Sequence, residues 1–112
     1  MRRRSAVLEA LELLRERAPT LSLAQIMVFL YVADEDEALP LLDLQRRAEM
    51  SAVQAWRNVR ALAGEDLVQV RRWKMGSITA AELTPAGRDL AARLDAMIAD
   101  ASPIAASSRV AA

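Results

Sequence analysis

The chain has 112 residues, 54% of them hydrophobic and 27% charged, which suffices for one domain's core and is too short for two ordinary domains. It contains no histidine and no cysteine, which excludes disulfides, Cys/His zinc sites, thiol nucleophiles and every scheme resting on imidazole. Fifteen basic and fifteen acidic residues cancel, but they are segregated. Asp34, Glu35, Asp36, Glu37 and Asp43 make one stretch purely acidic, whereas residues 46–74 hold seven basic residues against three acids.

In chain order, residues 5 to about 17 place Val7, Leu8, Leu11 and Leu14 at helical spacing, and Pro19 stops the run. Ser22, with Gln25 three residues on, forms a capping box for a second helix whose expected buried stripe is Ile26, Phe29, Leu30 and Ala33. The acidic residues 34–37 read as a solvated loop that points away from phosphates, without the ligand alternation of a calcium loop. Pro40 opens a third, short helix to about Ala48, burying Leu41, Leu44 and Ala48. Ser51 is the expected N-cap of a fourth helix, 52 to about 63, with Ala55, Val59 and Leu62 on one face. Two short helices joined by so tight a turn have helix-turn-helix spacing.

The period then changes. Residues 67–73 and 77–83 are rich in β-formers and are separated by a tip at Lys74-Met75-Gly76-Ser77, as in a hairpin. Thr84-Pro85 restarts a helix with the stripe Leu90, Ala91, Leu94, Met97 and Ile98. The expected organisation is a single domain over residues 1–100 and a flexible tail over 101–112. The fold class is mostly α with a small β-hairpin (α+β), a winged helix-turn-helix with N- and C-terminal flanking helices.

These residues resemble the MarR family of bacterial transcription regulators. The stretch from Leu44 to Leu62, LQRRAEMSAVQAWRNVRAL, follows the family's pattern of helix, N-cap serine and reading helix; Leu67-Val68 matches the start of the wing, and Leu83-Thr84-Pro85-Ala86-Gly87 matches its Leu-Thr-x-x-Gly signature. The resemblance spans about residues 20 to 95. It departs from the family where Asp66 replaces the glycine before the wing strand, where the wing's Asp-x-Arg element is missing, and where Trp56 replaces a small polar residue. The resemblance implies a homodimer held by the terminal helices, and an apolar cleft for a small-molecule effector that nothing in this sequence names. We expect a transcription regulator, a repressor acting on double-stranded DNA.

On a helix turning about 100° per residue, Val53, Arg57 and Arg60 project opposite the buried face of helix four, with Gln54 beside them and Ser51 at its start. Guanidinium forks reach guanine edges or phosphates, and an amide pairs with adenine. Arg46 and Arg47 beside the turn, and Arg71, Arg72 and Lys74 on the hairpin, are the expected phosphate contacts. The plainer alternative for each is a solvated charged face. Trp56, about 80° off the buried centre, either packs on a neighbouring element or meets DNA. The terminal stripes Val7, Leu8, Leu11, Leu14 and Leu90, Leu94, Met97, Ile98 are the expected dimer surface, since a small core does not cover both. The rival function is a winged-helix module that binds protein and not DNA. Without a paired-carboxylate motif no catalytic constellation can be assembled, so neither an enzyme nor a bound cofactor is expected. Glutamates interrupt the apolar run after Arg2–Arg4, and Ile26–Ala33 is too short to cross a bilayer, so a cytoplasmic protein without membrane contact is expected.

Overall fold

A computed structural model describes residues 3–73, 76 and 78–100; the tail expected over 101–112 and the hairpin contact expected of Lys74 lie outside these. The elements are α1 (Arg3–Arg17), α2 (Leu23–Ala33), β1 (Leu39–Pro40), α3 (Leu41–Ala48), α4 (Ala52–Gly64), β2 (Val68–Trp73), β3 (Ile78–Leu83) and α5 (Pro85–Ala99). They fall into two compact units. One is Leu21–Ala91; the other joins the two ends of the chain, up to Thr20 and from Ala92.

In the larger unit α2, α3 and α4 pack on one another, and an antiparallel sheet of order β1-β3-β2 lies beside them. Its interior takes Val28, Phe29 and Val32 from α2, Leu44 from α3, and Ala55, Val59 and Leu62 from α4. Leu39, Leu67, Val68, Ala80, Ala81 and Leu90 complete it. Each large side chain buried here contributes about 1.5–3 kcal/mol relative to exposure. Adjacent Ala80 and Ala81 of the central strand are both fully covered, so small side chains let elements close on both faces of β3.

The third strand is the main departure from the expected architecture. Leu39 pairs with Ala81 and Pro40 with Ala80, so β1 lies along β3 where the sequence suggested the start of a helix. A two-residue strand has no periodicity to read, and a proline, lacking an N–H, is tolerated on an edge strand. Pro40 is the N-cap of α3 and not its first residue.

Two helices also turn a different face inward. In α2, Val28, Phe29 and Val32 are buried while Leu30 is 44% exposed and Ile26 and Ala33 are half-buried. The helix is apolar nearly all round, so its period does not select a side. In α3 only Leu44 is fully buried, with Leu41 and Ala48 half-covered. In α1 the buried residues are Ala6, Leu13 and Leu14, followed by Ala18 just past its end, whereas Val7, Leu8 and Leu11 are 51%, 58% and 47% exposed. Alanines carry part of this inner face, and the bulkier residues beside them point to the other side.

Burial also corrects the expected dimer stripes. One chain alone covers Leu14, Leu90 and Leu94, which are 4%, 2% and 4% exposed, so these three serve its own interior. Met97 is half-buried, and Ile98, Val7, Leu8 and Leu11 remain open.

Two tight junctions flank α4. Glu49 ends α3 in the left-handed region (φ 54°), and the Met50 N–H donates to the Gln45 carbonyl at 3.0 Å. Asp66 also takes a left-handed φ of 58°, a conformation that glycine adopts most readily. Thr84 then locks the wing to α5. Its N–H donates to the Leu67 carbonyl at 3.1 Å, its hydroxyl donates to the Asp66 carbonyl, and the same oxygen accepts the Gly87 N–H at 3.0 Å. A Cβ at Gly87 would collide with the Leu67 carbonyl oxygen, which is why this turn requires glycine.

Candidate nucleic-acid interface

The α4 helix presents the expected face. Ser51 and Gln54 close a capping box: the Ser51 hydroxyl accepts the Gln54 N–H at 3.1 Å, and Gln54 Oε1 accepts the Ser51 N–H at 2.9 Å. With Ala55, Val59 and Leu62 fully buried, the opposite side presents Val53 at 64% exposure together with exposed Gln54, Arg57 and Arg60. The box changes what Gln54 offers. Its carbonyl oxygen is engaged at the helix start, so the amide NH2 is the group left to donate outward.

Arg57 lines a cleft of about 300 Å3 with Ala24, Glu49, Met50, Gln54 and Asn58. Asn58 donates to the Met50 sulfur at 3.4 Å, which braces the turn against α4. Among the described residues Arg57 makes no ion pair, so its planar fork is available.

Arg60 is held differently. Its guanidinium carbon lies 5.7 Å from the centre of the Trp56 ring, within cation–π range. Trp56 is half-buried, so its inner edge packs and its outer face serves as a platform for Arg60 one turn on. This pairing was not among the expectations, although the i, i+4 spacing already makes the two residues neighbours on a helix.

The remaining arginines divide. Arg46 is exposed on α3, and the adjacent Arg47 forms an ion pair with Glu35 of the acidic loop. The loop expected to point away from phosphates thus supplies a carboxylate to one of the expected phosphate contacts. Tyr31 Oη donates to the Arg47 carbonyl at 3.2 Å, capping the last turn of α3. On the wing, Arg71 Nη1 lies 3.2 Å from Glu82 Oε2. Arg71 and Arg72 are consecutive in β2, so their side chains leave opposite faces of the hairpin.

No protein-family model matches the chain, and no curated protein does. Solved structures do. The MepR–DNA complex of Staphylococcus aureus superposes with a TM-score of 0.73 at 13% identity, over 87% of this chain and 78% of that one. A probable transcriptional regulator from Pseudomonas aeruginosa gives 0.57 at 21% identity, over 96% and 86%. Bordetella bronchiseptica BpsR, whose DNA binding is regulated by 6-hydroxynicotinic acid, gives 0.57 at 20% identity, over 84% and 69%. The present chain spans 66% of a mutant MepR from a multidrug-resistant S. aureus clinical isolate. Among the described residues, five helices and a small three-stranded antiparallel sheet in this order form the winged-helix fold that these solved structures share.

Proposed function

We propose that this chain is a sequence-specific, double-stranded-DNA-binding transcription regulator that acts as a homodimeric repressor in the cytoplasm. The observation that carries the reading is the exposed face of a capped, well-packed α4, with Arg57 at its centre outside any ion pair among the described residues, in a fold shared with a protein solved on DNA. In this reading α4 enters the major groove, Arg57 and Arg60 meet bases or phosphates, and Arg46 and Arg72 hold backbone. Ser51 and Val53 lie at the leading end of the helix, within reach of base edges and thymine methyls.

Dimerisation falls to the apolar side chains that one chain leaves open, Val7, Leu8, Leu11 and Ile98, with half-buried Met97. A two-fold dimer presents two reading helices to a palindrome. BpsR's response to a small aromatic acid supports a small-molecule effector for this chain as well. The absence of His and Cys supports a non-enzymatic role, and among the described residues no helix is long and apolar enough to cross a membrane.

The test is binding to the DNA flanking the protein's own gene in competition with scrambled duplex. Preference for the flanking DNA supports the regulator. Equal, weak binding to both overturns it and favours the second reading, a protein-interaction module. That alternative has one observation in its favour: carboxylates already occupy Arg47 and Arg71.

A further inference from the structure

Two of the arginines flanking α4 already hold an anion, and the two pairs are built differently. Glu82 is fixed, with its side chain 13% exposed. Its Oε1 accepts from Gln69 Nε2 at 2.6 Å, Gln69 stands directly opposite it in the ladder, and its Oε2 meets Arg71. Glu35 comes from the loop after α2, 30% exposed, and reaches Arg47 at the end of α3. The Arg47 backbone is itself tied to α2 through Tyr31. By contrast Arg46, Arg57 and Arg72 make no ion pair among the described residues. A guanidinium bound to a carboxylate presents little net charge to a phosphate, and the carboxylate repels that phosphate.

We propose that Glu35 and Glu82 are specificity-determining residues of the DNA interface, standing in for backbone phosphate so that Arg47 and Arg71 do not bind duplexes of any sequence. The inference rests on the DNA-binding reading above. A loosely docked duplex leaves both arginines with their carboxylates. A duplex seated on α4 brings phosphates close enough for exchange, in which the carboxylates stay in place and the more exposed guanidinium groups of Arg47 and Arg71 turn to the phosphates. The affinity removed is the phosphate term, which carries no sequence information, so discrimination rises as general affinity falls.

The test measures binding to a short duplex of scrambled sequence across salt concentrations for E35Q, E82Q and the control E37Q. Glu37 lies in the same loop, exposed and outside any ion pair among the described residues. E35Q and E82Q are each expected to tighten this binding about two- to fivefold at ~0.1 M salt and to steepen the log–log salt slope by about 0.9, with a much smaller change for E37Q. Preference for the flanking DNA should fall by the same factor. Adding R47Q to E35Q, or R71Q to E82Q, should abolish the gain. R47Q alone, which breaks the same pair as E35Q, should not tighten binding, whereas a merely structural pair would make the two variants alike. Equal effects of E35Q and E37Q, or wild-type binding unchanged in E35Q and E82Q, would overturn the inference alone. A wild-type protein that binds no duplex overturns the DNA-binding reading and the inference with it.

Discussion

Among single residues, Arg57 is the centre of the proposed interface. Its position opposite Ala55, Val59 and Leu62 was legible because helical periodicity fixes which side chains point away from a buried face. Replacing it with alanine should cost about 1–3 kcal/mol of DNA affinity and flatten preference at one base position, read by competition binding, while thermal unfolding stays nearly unchanged. Undiminished preference would remove Arg57 from the base-reading set. Other partnerships were not legible. Arg47 meets Glu35 across a loop and a helix, and Arg71 meets Glu82 across a strand pair, and charge counting does not reveal which acid turns back toward which base. Trp56 and Arg60 could have been paired from their spacing, since four residues bring side chains together on any helix.

Among the helices and strands, helix starts were the most readable feature. Ser22, Ser51 and Thr84 each cap as expected, because a side-chain oxygen placed before an apolar period satisfies an orphan N–H. Buried faces were less readable where apolar residues surround the helix, as in α2, or where alanines form the inner side, as in α1. The short strand β1 escaped detection for want of length. The Leu-Thr-x-x-Gly turn was visible as a motif, and its geometry supplies the reason: Thr84 joins the wing to α5, and Gly87 lies against the Leu67 backbone. Since the obstructing atom is a carbonyl oxygen, G87A should destabilise the fold by about 2–4 kcal/mol, measured as a lower denaturant midpoint. Wild-type stability in that variant would mean that the turn relaxes freely.

For the molecule as a unit, recognition of a palindrome needs two chains. The surface left for the proposed dimer contact is narrower than the apolar stripes implied, since one chain already covers Leu14, Leu90 and Leu94. Leu8 and Leu11, 58% and 47% exposed, are the side chains to test. Replacing both with glutamate should shift sedimentation equilibrium from dimer to monomer and weaken binding to a two-half-site duplex by at least roughly tenfold, since each half-site alone lacks the linked second contact. The unfolding midpoint should fall only by what association contributes and lose its dependence on protein concentration, because neither side chain serves the core of one chain. A variant that remains dimeric would move the interface elsewhere.

The exposed face of α4, with the arginines around it, is proposed to bind duplex DNA, and everything else in the functional reading depends on that. The decisive quantity is the affinity of the purified protein for the DNA flanking its own gene, followed as a function of salt. Tight binding is expected, weakening steeply as salt rises because each engaged phosphate releases counterions, with a log–log slope reporting several contacts. Binding that is absent, or independent of salt, would contradict it.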